Sequence, residues 1–134
     1  MITPTPATIQ RFEQSVVIWL TTVNAQGQPQ SSPVWFLWQD GAFVIYSLAD
    51  TPRLRNLRVN PHVALNLNSN AEGGDVVTIE GTAAIDDAGP RSSEVPAYQA
   101  KYLPLITSYG WTAESFARDY PQRVVITPTR LRAS

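Results

Sequence analysis

The 134-residue chain has no cysteine and only one histidine. Without thiols there is no disulfide framework, no thiol nucleophile and no zinc site of the thiolate kind. A single imidazole excludes a His-rich metal cluster and argues against a Ser-His-Asp triad. Charge is scarce and balanced, 10 Lys+Arg against 11 Asp+Glu for a net charge of −1. That argues against bulk electrostatic binding of DNA or RNA. Long apolar runs are missing too. None is longer than Val16 to Leu20, far short of the roughly 20 residues a spanning helix needs. Met1 to Pro6 offers no basic region leading into an apolar stretch. Neither membrane insertion nor export is expected, and the cytoplasm is the expected compartment. No repeat, low-complexity tract or shift in composition marks a boundary, so residues 1–134 are expected to form one domain.

What is present is apolar and turn-rich: 43% hydrophobic residues, 10% aromatics and 11 prolines. Thr5-Pro6 supplies a capping hydroxyl and a first-turn proline, predicting a short helix over Pro6 to Gln14. Ser15 to Val23 is β-branched, aromatic and nearly unbroken, which suits a strand buried on both faces. Asn24 to Pro29 reads as a turn, Gln30 to Trp38 as a second strand, and Gln39-Asp40-Gly41 as a hairpin signal before Ala42 to Leu48. The first third therefore reads as a three-strand meander. Asp50-Thr51-Pro52 opens a helix that Asn60-Pro61 closes. His62 to Asn68 and Val76 to Ile85 read as strands, with Gly81 predicting a bulge or a close backbone contact in the second. Val95 to Tyr109 reads as a helix kinked or broken at Pro104, Thr112 to Ser115 as a further helix start, and Arg123 to Thr127 as the last strand. About six strands joined by tight turns, with three or four helices, predict a closed or nearly closed antiparallel barrel.

Two segments could carry chemistry. Thr51-Pro52-Arg53-Leu54-Arg55-Asn56 places two arginines in the first turn of a helix, where the partial positive charge makes an exposed cation unfavourable by about 0.3–1 kcal/mol. A bound anion cures the conflict: free amides and guanidinium forks hold phosphate well, and Ser47 and Thr51 can add hydroxyls. A solvated amphipathic helix with Leu54 and Leu57 turned inward fits the spacing equally well. In the second segment, Ser32-Pro33-Val34-Trp35, the proline cannot donate to a ladder and implies an edge. A flat ring could lie beside Trp35, although an aromatic core strand explains the residues more simply. Trp19 and Trp111 carry no specific signal, and His62 is assigned no role. Adjacent strand residues point to opposite faces, so Asp86-Asp87 reads as a solvated turn, not a working carboxylate pair. Lys101 reads as a surface lysine that could at most assist an anionic tail.

The blocks Trp19-Leu20-Thr21-Thr22-Val23, Gly27-Gln28-Pro29, Ser32-Pro33-Val34-Trp35-Phe36, Ile45-Tyr46-Ser47, Arg53-Leu54-Arg55-Asn56-Leu57, Asn60-Pro61-His62-Val63-Ala64-Leu65 and Glu80-Gly81-Thr82-Ala83 run through nearly the whole chain. In this order and spacing they resemble the pyridoxamine 5′-phosphate oxidase-like superfamily, the flavin-binding split barrels. Pro96 to Tyr102, Phe116-Ala117 and Thr127 to Arg130 are similar to a subgroup described as F-420-dependent enzymes. The resemblance implies a mainly β fold with attached helices: a six-stranded antiparallel split barrel, homodimeric, with the cofactor at the dimer interface. It implies F-420 (a deazaflavin) or FMN as cofactor. Arg53, Arg55 and Asn56 fall where the family places its phosphate-binding basic segment, Tyr46 and Ser47 on the strand end before it, and Ser32, Pro33, Val34 and Trp35 on the strand along the isoalloxazine ring.

Many relatives have lysine where Arg53 stands. Arginine keeps the charge but presents a planar, rigid fork. The longer chain and C-terminal basic residues of vitamin B6 oxidases proper are not found. The resemblance therefore implies an oxidoreductase moving a hydride between the cofactor and a small conjugated acceptor; charge, run lengths and the Cys and His counts leave no nucleic acid, membrane or metal expected as partner. The reactive atom would belong to the cofactor, so the catalytic side chains stay unknown; Tyr46 or a water could supply a proton. Competing readings are an FMN-binding oxidoreductase of the same fold, and a non-enzymatic barrel whose arginines hold another phosphate ligand or a partner. A haem role is more distant, because His62 is the one imidazole available.

Overall fold

The computed structural model describes residues 2–134. Helix α1 spans Pro6–Gln14 and starts as its cap requires, with Thr5 Oγ1 accepting from the Thr8 amide at 3.2 Å. Strand β1 (Val17–Val23) follows and is hairpinned to β2 (Pro29–Trp35). The turn between them is closed by Asn24, whose Oδ1 accepts from the Gln26 and Gln28 amides. Strand β3 (Leu37–Gln39) and strand β4 (Ala42–Ser47) form the next hairpin. Its Asp40-Gly41 turn has both residues at positive φ, 54° and 76°, the geometry that the Asp-Gly pair favours. Helix α2 (Pro52–Val59), β5 (His62–Asn66) and β6 (Val77–Asp86) come next. A 3-10 turn at Ser92–Glu94 leads into α3 (Pro96–Ser108), α4 (Ala113–Asp119) and β7 (Gln122–Ala133). None of the described helices is long and apolar enough to cross a membrane.

All neighbouring strands pair antiparallel, in the order β2-β1-β5-β6-β7-β4-β3. Among the described residues the strands number seven, not six, because the stretch expected as one strand from Gln30 to Trp38 divides at Phe36. The reason is in its backbone. The Phe36 amide donates to the Tyr102 hydroxyl at 2.9 Å, and its carbonyl accepts from that hydroxyl at 2.9 Å and from Lys101 Nζ at 2.9 Å. Helix α3 thus takes over the bonds that a ladder would otherwise make. Before Phe36 the chain pairs with β1, and after it with β4. The two end strands of the sheet are therefore one stretch of chain, which curls the sheet into a half-barrel. The expected three-strand meander is instead two hairpins at opposite ends of the sheet.

Burial also shifts from expectation. Strand β1 alternates between buried and half-buried residues. The strand buried on both sides is β4. Phe43 and Ile45 enter the barrel core with Phe12, Leu54 and Leu65, while Val44 and Tyr46 pack under α3 and α4 with Tyr98, Tyr102 and Phe116. Helix α3 continues through Pro104. Strand β7 runs well past the expected Thr127, because a bulge absorbs the proline. Glu80 pairs with Arg130 and Gly81 with Pro128, leaving Thr129 as the extra residue. The Thr129 hydroxyl donates to the Glu80 carbonyl at 3.1 Å. Gly81, where a bulge was expected, has no room for a side chain: a Cβ there would lie 2.9 Å from the Thr127 carbonyl oxygen.

Candidate functional site: two cavities that share an arginine

Thr51 caps α2, accepting from the Leu54 amide at 3.4 Å, and Pro52 fixes the first turn. Arg53 is thereby aimed across the end of β4 toward β2. Its guanidinium donates to Ser32 Oγ at 3.1 Å and, at the longer distance of 3.4 Å, to Ser47 Oγ. No carboxylate pairs with it among the described residues. Burial lowers its pKa from the ordinary arginine value, the sign expected for a cation moved out of water without a compensating charge. One turn on, the buried Asn56 donates from Nδ2 to Thr22 Oγ1 at 2.9 Å and to Gln30 Oε1 at 2.8 Å.

These groups line a cavity of about 300 Å³ walled by Thr22, Gln30, Ser31, Ser32, Thr51, Pro52, Arg53 and Asn56. Among the described residues it carries four hydroxyls, two carboxamides and a guanidinium, and no carboxylate. That donor set suits an oxyanion. Arg53 also borders a second cavity of about 480 Å³, lined by Val17, Pro33, Val34, Trp35, Tyr46, Leu48, Tyr109, Trp111, Phe116 and Tyr120. Among the described residues Arg53 is the only charged one on this lining, and aromatic rings form most of the wall. A larger depression of about 720 Å³ lies over β5, β6 and β7, and none of the expected site residues lines it.

The structure brings together most of the residues singled out from the sequence. Ser32, Thr51, Arg53 and Asn56 line the polar cavity, while Pro33, Val34, Trp35 and Tyr46 line the aromatic one. Pro33 lies on an end strand of the sheet, paired only across to Trp19, as its missing N–H requires. Ser47 is buried behind Arg53, donating to the Leu48 carbonyl at 3.0 Å. Arg55 stands apart: it is exposed, is ion-paired to Asp50 at 2.7 Å and lines neither cavity. The Tyr46 hydroxyl donates to the Pro90 carbonyl at 2.8 Å. Its pKa is raised, chiefly because it is buried, against the opposing pull of Arg123.

Lys101 is not a surface lysine. Its ammonium donates to the Phe12 carbonyl at 3.0 Å and the Phe36 carbonyl at 2.9 Å and sits 3.9 Å from the centre of the Phe36 ring. Burial pulls its pKa down to about 8, with Glu13 opposing. Nor is Asp86 merely solvated: it is bonded to Arg123 and accepts from the Ala88 and Gly89 amides. The sequence reading missed Thr22, Gln30, Ser31 and the wall formed by Tyr109, Trp111, Phe116 and Tyr120. Thr22 and Gln30 face each other across the β1–β2 ladder, which a hairpin register reading could have found. The aromatic wall had no local signal, because α3 and α4 bring it in from far along the chain.

The model of the family Pyridoxamine 5'-phosphate oxidase matches residues 5–133. Among solved structures, an F420 reductase superposes with a TM-score of 0.68 at 22% identity, covering 97% of this chain and 98% of its own. A putative pyridoxamine 5'-phosphate oxidase from Listeria innocua gives 0.67 at 22%, covering 95% and 94%. HutZ, the heme storage protein from Vibrio cholerae, gives 0.66 at 18%, covering 98% and 95%. At these identities the likeness is one of fold. A comparison with curated protein sequences finds no match.

Proposed function

The chain belongs to the pyridoxamine 5′-phosphate oxidase family, and from that premise we propose that it is an F-420- or FMN-dependent oxidoreductase acting on a small conjugated acceptor. The observation that carries this reading is Arg53, a half-buried guanidinium without a carboxylate, standing between a cavity of hydroxyls and a cavity of rings. One end suits a phosphate and the other a flat heterocycle. In this reading Arg53, Ser32 and Thr51 hold the phosphate, while Asn56, whose two amide hydrogens go to Thr22 and Gln30, positions those two side chains on the cavity wall. Trp35, Pro33 and Val34 carry one ring face, and the aromatic wall keeps water away. The bound cofactor supplies the hydride chemistry, which accounts for a site without a nucleophile or an acid–base pair. Tyr46, whose proton is engaged by Pro90, serves as wall and not as proton donor.

The reading makes the assembly a homodimer with the cofactor at the interface, expected in light scattering as a species of twice the chain mass. The haem reading suggested by the likeness to HutZ finds no support in the site, since His62 is exposed and lines neither cavity.

The test is parallel titration of the protein with F-420 and with FMN. Arg53→Ala is expected to weaken binding of the preferred cofactor by about 1.5–3 kcal/mol, the range for a charged hydrogen-bond partner. Arg55→Ala is expected to bind like the parent. Failure of both cofactors to bind sinks the proposal. Tight binding without turnover of any acceptor would make the protein a carrier and not an enzyme.

A further inference from the structure

Of the 10 Lys and Arg residues in the chain, one is a lysine, Lys101. Its ammonium joins three elements. It holds the Phe12 carbonyl in the last turn of α1, where a helix leaves its carbonyls without amide partners and favours a cation. It holds the Phe36 carbonyl where the sheet changes partners, and it belongs to α3 itself.

A cavity of about 430 Å³ adjoins this junction, lined by Glu13, Leu37, Trp38, Ala97, Ala100 and Lys101. It shares no residue with either cavity of the candidate site. Glu13, Ala97 and Ala100 are exposed, so the cavity opens to solvent. Most of its wall is apolar. Among the described residues Glu13 of α1 and Lys101 of α3 are the charged groups on the lining, and β3 adds none.

The hydrogen bonds decide which substituent the nitrogen tolerates. A neutral imine nitrogen carries no hydrogen, and both carbonyls would lose it. An amide nitrogen keeps one N–H. That hydrogen can stay on the Phe12 carbonyl, for which Lys101 is the only side-chain donor among the described residues. The Phe36 carbonyl then retains the Tyr102 hydroxyl, which it shares with Val16. Acylation therefore fits where a Schiff base does not. Leu37, Trp38, Ala97 and Ala100 offer apolar surface to a short acyl chain. With the ammonium charge gone, Glu13 is the charge left on the lining, and it opposes an anionic acyl group.

We propose that Lys101 is an acylation site that takes short, uncharged acyl groups from thioester donors and lays them in the cavity between α1, β3 and α3. The Nζ lone pair attacks the thioester carbonyl carbon. The N–C bond forms, the C–S bond breaks, and the thiol leaves with the proton that nitrogen gives up; nothing is oxidised or reduced. Burial, which pulls the Lys101 pKa down to about 8, supplies free amine near neutral pH. The site stands apart from the proposed function, although the Tyr102 ring beside it stacks on Trp35 at 4.7 Å and so ties the junction to the aromatic cavity.

The probe is N,S-diacetylcysteamine, with its butyryl and succinyl counterparts, applied to the whole chain at neutral pH and read by intact mass and peptide mapping. Because lysine occurs once, every lysine adduct reports on Lys101, and mapping separates it from the α-amino group. Lys101 is expected to acetylate about tenfold faster than Nα-acetyl-lysine, following its larger free-amine fraction. Butyryl should transfer as readily as acetyl, and succinyl several-fold more slowly. Ala97→Leu is an exposed helical change that leaves the Lys101 hydrogen bonds in place. It should narrow the cavity and slow butyryl transfer several-fold with an unchanged circular dichroism spectrum.

The inference is overturned if folded Lys101 reacts no faster than Nα-acetyl-lysine, or if succinyl transfers as fast as acetyl. It is also overturned if Ala97→Leu takes butyryl at the parent's rate, which would leave a reactive amine without a site. None of these outcomes depends on whether the protein binds F-420 or FMN.

Discussion

Replacing Tyr102 by phenylalanine removes one oxygen from the place where the sheet changes partners. That hydroxyl is fully buried. It accepts from the Phe36 amide at 2.9 Å and reaches the carbonyls of Val16 at 2.6 Å and Phe36 at 2.9 Å. The Phe36 carbonyl keeps Lys101 as a donor, but its amide is left with no partner. An unsatisfied buried N–H costs about 1–3 kcal/mol, and the lost bond to Val16 adds roughly 0.5–1.5 kcal/mol. Tyr102→Phe should therefore lose about 2–4 kcal/mol, a large part of the roughly 5–15 kcal/mol that holds a domain folded. For a chain of this length each kcal/mol moves the midpoint by about 3–4 °C, so Tm should fall by roughly 7–14 °C.

Urea unfolding followed by far-ultraviolet circular dichroism would show a lower midpoint at unchanged slope. The ring itself stays, so its stacking on Trp35 and the binding of cofactor should be preserved. Tyr109→Phe, at an exposed hydroxyl, is the control and should change stability by less than about 0.5 kcal/mol. A loss in Tyr102→Phe no larger than in that control would refute the idea that this hydroxyl stands in for the missing ladder. Combining Tyr102→Phe with Lys101→Met should give a loss that is not the sum of the two, because both side chains hold the same carbonyl.

Two further outcomes follow from the sheet. Burial alone would raise the Asp86 carboxyl, but the amides of Ala88 and Gly89 and the Arg123 guanidinium outweigh it and hold the group below the ordinary aspartate range. Since the folded pKa lies below the unfolded one, the stability it contributes is complete above about pH 4 and is lost as pH falls through the lowered value. Melting temperatures of the parent and Asp86→Asn should thus differ at pH 6 and converge toward pH 2; a gap constant with pH would contradict this. Gly81→Ala drives a Cβ to 2.9 Å from the Thr127 carbonyl and 3.0 Å from the Ile126 methyl. It should cost about 1–3 kcal/mol in urea unfolding, and a neutral result would show that the bulge yields.

Local chemistry announced itself in the sequence wherever a segment satisfies its own bonds. The cap at Thr5, the Asp40-Gly41 turn, the start of α2 at Thr51-Pro52 and the bulge at Gly81 all stand where residue type placed them. What stayed hidden depends on distant partners. Phe36 leaves the ladder because Tyr102 and Lys101, some 65 residues on, supply its bonds. Lys101 looked solvated because a lysine's length says nothing about the carbonyls it will meet. Arg53 and Arg55 looked equivalent in sequence, yet an i, i+2 step on a helix turns side chains to different faces. One meets two serine hydroxyls and the other Asp50. The strand expected over Arg123 to Thr127 runs on past Pro128, because the bulge that accommodates the proline forms against β6, far back in the chain.

Strand β7 is made after the six strands described before it, yet it lies between β6 and β4. Until its residues are synthesised, the β3–β4 hairpin has no ladder to join, and β6 offers a bare row of amides and carbonyls. Any sheet formed before β7 docks would have two unprotected margins, the kind of surface that chaperones cover and that other chains can capture. Closure waits on pairings between residues up to about 80 positions apart, such as Phe43 with Ile126, so folding should be slow for a protein of this size. Truncation within β7 would not trim an edge. It would unzip the middle.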